Sequence, residues 1–217
     1  MGRTLVALII SFVFCATSLA LADDDWAQLF ERIQSQSVIE IIIDNQWRCT
    51  GVAIRPQLYI TAAHCFKHPN KDARVRDRLL GDVGPLELLG IQTDLDLALV
   101  KGQVPYKRPV HLAKSSPPVG SMVMSIGFAG QTEIPQMVSG HISRVDRLWL
   151  VLDHLFYPGY SGGPLINSKG ELVGINCSVP TLWDPETKTS TDMNEGWGIP
   201  IETVRLFMAL YDSGMVQ

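Results

Sequence analysis

Charge is scarce in this chain. Asp, Glu, Lys and Arg make up 18% of its 217 residues, and the formal net charge is −4. No block of like charges occurs, which excludes a polyelectrolyte tail and the basic footprint of a nucleic-acid binder. With 46% of residues hydrophobic, disorder is excluded too. Long apolar runs are equally rare. Leu5 to Phe14 is one, preceded by Arg3 and followed by Ala20-Leu21-Ala22, with small residues at the two positions a signal peptidase reads. Residues 1–22 therefore read as a secretory signal peptide cut after Ala22; the competing reading, an uncleaved anchor, needs a longer apolar run. No second stretch is apolar enough to span a bilayer. The mature chain, 23–217, is expected to be soluble and either secreted or periplasmic. Cysteine is sparse as well. Removing the leader removes Cys15 and leaves Cys49, Cys65 and Cys177, an odd number in a compartment that permits disulfides. Cys49 and Cys65 are the better pair, because Cys65 adjoins a histidine of interest. Such a bridge stabilises by about 3 kcal/mol in the chain-entropy view. Cys177 is then a buried free thiol.

What is present is mostly short apolar runs. Asp23 to Gln36 places Trp26, Leu29, Phe30 and Ile33 at helical spacing, predicting a short amphipathic helix. The period then changes. Val38 to Ile43, Val52 to Ile54, Leu58 to Ile60, Leu79-Leu80, Leu86 to Ile91 and Leu95 to Val100 read as strands, with Arg55-Pro56-Gln57 as a hairpin turn. Lys114 to Pro118 has the composition of a linker. Ser121 to Ile126, Gln136 to Val145, Leu148 to Leu152, Leu165-Ile166, Leu172 to Cys177 and Trp197 to Ile199 form a second series of strands. Glu202 to Tyr211 predicts a closing helix with Val204, Phe207, Met208 and Tyr211 on one face. The pattern is all-β: two small barrels, about 37–113 and 119–200, meeting at a cleft. No internal repeat is visible.

One stretch carries chemistry. Gly159-Tyr160-Ser161-Gly162-Gly163-Pro164 holds a serine on a glycine-flanked turn, where main-chain N–H groups can gather beside the hydroxyl. The pattern fits two unrelated nucleophile turns, and chain order separates them. The α/β-hydrolase elbow needs a histidine after the serine. The five histidines stand at 64, 68, 111, 141 and 154, so none follows Ser161. A His, Asp, Ser order remains. His64, in Thr61-Ala62-Ala63-His64-Cys65, is the best base. His68 falls in a loop, and His111, His141 and His154 read as surface or packing residues. The i, i+4 spacing of His64 and His68 does not make a metal site, since no Glu follows His64 and Cys65 is better used in a bridge. The orienting carboxylate is Asp96 or Asp94, expected on one face of a strand by period two. Asp96 lies closer to the apolar segment. Burying it there requires a hydrogen-bond partner, and the His64 imidazole would be one.

These segments resemble a known family. Thr-Ala-Ala-His-Cys, Asp-Leu-Ala-Leu and Gly-Tyr-Ser-Gly-Gly-Pro are similar to the three triad segments of chymotrypsin-like serine proteases. Val119-Gly120 to Gly127, Val138 to Ser143, Asn167 to Asn176 and Gly196 to Pro200 are similar to the HtrA/Deg branch of trypsin-like peptidases. The resemblance runs from about Cys49 to Pro200. It implies two six-stranded antiparallel Greek-key barrels with the site between them, Ser161 as nucleophile, His64 as base and then acid, and Asp96 as orienter. It further implies an oxyanion hole from the N–H groups of Gly159 and Ser161, a Cys49–Cys65 bridge, a polypeptide substrate, and no metal or organic cofactor. Three departures stand out. Tyr160 replaces the acid that, in the trypsin branch, pairs with a new N-terminus. The chain ends soon after Pro200, leaving no room for the PDZ domain usual in HtrA proteins. Leu155 falls near the floor of the primary specificity pocket and, with Cys177, Ser178, Val179 and Gly198, implies an uncharged pocket for small or medium apolar side chains.

The expected function is thus a secreted or periplasmic serine endopeptidase. The alternatives are a silent member of the fold that binds peptides or proteins, and an esterase on the same residues. A neutral imidazole is required of the base, so activity should decline as pH falls through roughly 6 to 7.

Overall fold

A computed structural model describes residues 25–67, 73–77, 79–130, 132–179, 181–184 and 188–216. The expected leader and His68 lie outside these residues. The chain enters through helix α1, residues 25–37. Leu29 and Ile33 are buried one helical turn apart, with Trp26 and Phe30 packed beside them.

Two sheets follow. The first contains β1 (Val38–Ile43), β2 (Trp47–Arg55), β3 (Leu58–Ala62), β4 (Ala73–Asp77), β5 (Gly81–Pro85), β6 (Glu87–Gln92) and β7 (Leu97–Lys101). Their order is β5-β4-β1-β2-β3-β7-β6, and every pairing is antiparallel. The second contains β8 (His111–Leu112), β9 (Met122–Gly127), β10 (Gln136–Val145), β11 (Leu150–Leu152), β12 (Pro164–Asn167), β13 (Glu171–Ser178) and β16 (Gly196–Pro200). It runs β12-β9-β10-β11-β16-β13-β8, and a further β12–β13 pairing closes six of these strands into a ring. The two-residue β8 is appended to that ring by a parallel contact with β13. Between β13 and β16 a ribbon of β14 (Thr181–Asp184) and β15 (Thr189–Asp192) projects. The architecture is two β-barrels flanked by an N-terminal and a C-terminal helix.

The strands read as continuous apolar runs because many are buried on both faces. In the first barrel Ile39, Ile41, Ile43, Tyr59, Ala98 and Val100 fill the interior. Their alternates Val38, Val52, Ile60, Leu97 and Leu99 join a second cluster with Met124, Ile126, Ile166 and Ile175 of the other barrel. That cluster cements the two barrels and receives α1 and the buried face of helix α2 (Ile201–Asp212). A third cluster fills the second barrel around Leu150, Leu165 and Tyr160. Helix α2 ties these parts together. Glu202 accepts hydrogen bonds from the N–H and hydroxyl of Ser116, at 2.7 and 2.6 Å. Arg205 donates to the Ala113 carbonyl, and Asp212 pairs with Arg55 at 2.6 Å. The expected linker is thereby held against α2.

Two expectations about local structure are corrected. Leu79 and Leu80 are not in a strand. They occupy the turn after β4, 71% and 52% exposed. Asp77 Oδ1 accepts both their N–H groups, and this side-chain-to-backbone turn overrides their apolar character. Nor do Asp94 and Asp96 share a strand face. Thr93–Leu95 is a 3-10 turn, and Asp96 caps it in the left-handed region with φ 52°. Strand β7 starts only after that cap.

Candidate active site

The left-handed turn at Asp96 aims its carboxylate at the segment after β3. Ala63–Phe66 there forms one 3-10 turn, buried except at His64. Asp96 Oδ1 accepts the His64 backbone N–H at 2.8 Å, and Oδ2 lies 2.7 Å from His64 Nδ1. The Asp96 carbonyl accepts the Ala63 N–H at 3.0 Å. With an ionised carboxylate against it, Nδ1 carries the imidazole proton, and Nε2 keeps a free lone pair. Cys177, on β13, donates its thiol to the same Oδ2 at 3.0 Å. Burial alone would raise the Asp96 carboxyl, but the bonds from His64 and Cys177 outweigh it and hold the group below the usual carboxylate range. Burial pushes the Cys177 thiol well up, reinforced by the Asp96 charge, so it stays protonated. A ring nitrogen of His64, an Asp96 oxygen and Cys177 Sγ lie within 4.8 Å of one another, a donor set of the kind metals use. All three are already engaged with one another, so a metal would have to displace the bonds that orient Asp96.

Ser161 stands on the loop between β11 and β12. Its Oγ donates to the Cys177 carbonyl at 3.3 Å. The loop reaches the His64 region through Gly162, whose φ is +82°. A Cβ there would overlap Thr61 Oγ1 and the Thr50 carbonyl and crowd the Ala62 nitrogen at 2.7 Å, so only glycine allows this approach. Gly159, at φ +105°, sits equally close to the Phe128 carbonyl. Successive peptide planes of the loop are pinned. The Pro158 carbonyl accepts Gly130 N–H at 3.0 Å, and the Tyr160 carbonyl accepts Gly163 N–H at 2.9 Å. In trans peptides the N–H points away from the preceding carbonyl. The N–H groups of Gly159 and Ser161 therefore point away from those anchors, and among the described residues neither has a protein acceptor.

The Tyr160 side chain is fully buried, stacked against Phe156 at 6.4 Å, and burial pushes its phenol up to about 12. The loop is thus anchored in the second barrel by an apolar aromatic where the trypsin branch uses an ion pair. Of the remaining pocket candidates, Leu155 is half-buried beside Phe156, and Ser178 and Val179 follow Cys177 at the end of β13. Gly198 faces the barrel interior, where a Cβ would strike Leu165. Gly196, two residues earlier, is the glycine that lies over Phe156, at 3.1 Å from a Cβ position. The expected bridge is present between Cys49 and Cys65, and Cys177 is a buried free thiol.

Three contributors were not visible in the sequence. Thr50 and Thr61 hold the loop from the first barrel, through bonds to the Gly159 and Thr50 carbonyls at 2.7 and 2.8 Å. Asn176 brackets the loop with its backbone, accepting Gly162 N–H and donating to the Gly163 carbonyl, both at 2.8 Å. The only sequence signal for Thr50 was its place next to Cys49.

The chain is similar to proteins already known. Residues 49–175 match the family model described as a trypsin-like peptidase domain. The chain is 27% identical over 186 residues to "Protease Do-like 2, chloroplastic" of Arabidopsis thaliana, covering 77% of this chain and 29% of that protein. It is 31% identical over 141 residues to "Probable periplasmic serine endoprotease DegP-like" of Hahella chejuensis, covering 60% and 29%. It is 29% identical over 165 residues to "Serine protease HTRA1" of Xenopus laevis, covering 70% and 33%. The chain thus spans about a third of the length of these relatives. Among solved structures, the serine endoprotease from Yersinia pestis superposes with a TM-score of 0.69 at 22% identity, covering 85% of this chain and 65% of that one.

Proposed function

The chain belongs to the trypsin-like peptidase domain family, and we propose that it is a serine endopeptidase in which Ser161, His64 and Asp96 carry the chemistry. The carrying observation is Asp96 itself, which grips His64 at both its backbone N–H and Nδ1 while facing the strand beside Ser161. Ser161 Oγ turns from the Cys177 carbonyl to His64 Nε2 and attacks the scissile carbonyl as Nε2 takes its proton. Asp96 stabilises the imidazolium. The oxyanion of the tetrahedral intermediate accepts the two free N–H groups of Gly159 and Ser161. Collapse breaks the C–N bond, with His64 returning the proton to the departing amine. Water then repeats the sequence on the acyl-enzyme.

The pocket before the cleaved bond is uncharged. Leu155, Ser178, Val179 and Cys177 offer no acid, and Asp153 nearby is exposed and bonded to His141. Small or medium apolar side chains fit it best. The disulfide supports export through an oxidising compartment, in agreement with the leader-like residues 1–22 and the relative named periplasmic.

The test is direct. A fluorophosphonate probe should modify Ser161 in protein starting at Asp23, and Ser161→Ala should take no label. Digestion of a peptide library, read by mass spectrometry, should show cleavage after apolar residues that the same variant abolishes. The hydroxyl's bond to the Cys177 carbonyl favours one other reading, a silent peptide-binding member of the fold. Absence of both label and cleavage, with peptide binding retained, would decide for it.

A further inference from the structure

We propose that Thr50 is a positioning residue for the oxyanion hole, holding the nucleophile loop in shape from the opposite barrel. The inference rests on the serine endopeptidase reading above. Thr50 is fully buried on β2, yet each of its polar atoms is used, and two of them on the same short loop. Its N–H donates to the Ser161 carbonyl at 2.8 Å, and its hydroxyl donates to the Gly159 carbonyl at 2.7 Å. The hydroxyl also accepts the Phe128 N–H at 3.2 Å, while the Thr50 carbonyl accepts the Thr61 hydroxyl at 2.8 Å.

The Gly159 carbonyl matters because of where it lies. It belongs to the peptide plane between the two planes that present the Gly159 and Ser161 N–H groups. That plane is held at its other end by the Tyr160 N–H, which donates to the Tyr157 carbonyl at 3.0 Å. Gly159 has unusual torsional freedom, so a rotation about its backbone would swing its own N–H out of the hole. The Thr50 hydroxyl opposes that rotation. Without it, the Gly159 carbonyl and the Phe128 N–H would both be buried without a partner, a state the loop can relieve by turning. A valine at 50 has the same shape as threonine and lacks only the hydroxyl; serine keeps the hydroxyl and loses only the methyl.

The experiment compares Thr50→Val and Thr50→Ser with the parent, in protein whose Ser161 accepts the fluorophosphonate probe. Three quantities are read: kcat, KM, and affinity for a peptide aldehyde of the preferred sequence, whose adduct with Ser161 places an oxygen in the hole. Thr50→Val should lower kcat about 10- to 100-fold, somewhat below the loss expected from deleting a hole donor outright. It should weaken aldehyde binding in parallel and leave KM within about twofold. Thr50→Ser should return kcat to within about threefold of the parent. A Thr50→Val protein that keeps its kcat and aldehyde affinity overturns the proposal. So does a loss in Thr50→Val that Thr50→Ser shares in full, since that would make the methyl packing decisive. Should Thr50→Val fail to fold, Thr50→Ser with aldehyde affinity unlike the parent's would count against the proposal and parental affinity for it. A parent without activity overturns the endopeptidase reading first; an active parent with an indifferent Thr50→Val overturns this inference alone.

Discussion

Asp96 concentrates most of the site's electrostatics in one carboxylate. It accepts three donors, the His64 N–H, the His64 ring and the Cys177 thiol, and its left-handed backbone exists to bring them together. Asp96→Asn tests this at constant shape. The amide can still accept the His64 N–H, but its NH2 then faces Nδ1, which must give up its proton and leave it on Nε2. The base is lost without loss of the fold, and kcat should drop by about 10³- to 10⁴-fold, measured on a cleaved peptide at pH 8. The same substitution exposes a stability effect. The folded carboxyl titrates below its unfolded value, so its contribution is full above the ordinary carboxylate range near 4. It is lost as pH falls through the depressed folded value. Urea midpoints should therefore show the parent's advantage over Asp96→Asn shrinking below about pH 4; a constant gap down to pH 2 would contradict the linkage. Tyr160 shows the opposite solution at the neighbouring position, with burial and ring contact in place of charge. A loop anchored that way needs no newly cut N-terminus to order it.

At the scale of elements, one covalent link serves two parts of the site. Cys49 precedes Thr50 on β2, and Cys65 follows His64 in its 3-10 turn, so the bridge joins the loop's support to the base. Replacing both cysteines by alanine should cost about 3 kcal/mol in urea unfolding. It should also lower kcat more than it raises KM, because the ends of the bridge adjoin Thr50 and His64, to which the proposed mechanism gives roles in the reaction rather than in substrate binding. A stability loss with unchanged kcat would confine the bridge to a structural role. β1 was legible because burial of all six of its residues leaves an unmistakable apolar run, and it occupies the very residues that the pattern predicts; β10 does so too, although only Ile142 in it is buried. Asp96 was legible as a residue and not as geometry, since nothing in Thr93-Asp94-Leu95 distinguishes a 3-10 turn from the start of a strand. Leu79 and Leu80 misled because composition says nothing of the Asp77 turn that exposes them. Thr50 was invisible for a related reason. A threonine in a β-branched strand needs no explanation until the opposite barrel's loop is seen against its hydroxyl.

For the whole molecule, the question is what keeps two barrels and two helices in one arrangement, given that the site is built from both halves. The shared apolar cluster supplies most of the attraction, but it is non-directional and does not fix register. Polar ties do that, and among the described residues the pair of Lys107 and Asp77 is the most buried ion pair. The Lys107 ammonium lies 2.8 Å from Asp77 Oδ2 at the end of β4 and donates to the Ser35 carbonyl of α1 at 2.8 Å, with both charged side chains 1% exposed. Neighbouring bonds reinforce the junction, one between main chains from Arg108 N–H to the Gln36 carbonyl and one from the Ser37 hydroxyl to the Arg108 carbonyl. Burial pulls the Lys107 ammonium below its ordinary value, and Asp77 only partly restores it, so the pair is held at a cost that its partners must offset. Lys107→Met keeps the aliphatic stem and removes the charge. Among the described residues, Asp77 is then a buried carboxylate served by the turn N–H groups of Leu79 and Leu80 alone, and the end of α1 loses one of its anchors. Unfolding in urea should show a loss of about 3 to 5 kcal/mol. Adding Asp77→Asn should recover part of it, because the amide still accepts the turn N–H groups without carrying an unpaired charge. Both proteins should keep kcat within about twofold when folded, since the pair touches none of the residues around Ser161. A single-variant loss under about 1 kcal/mol would mean that the apolar cluster alone sets the arrangement, and that this ion pair is a passenger in it.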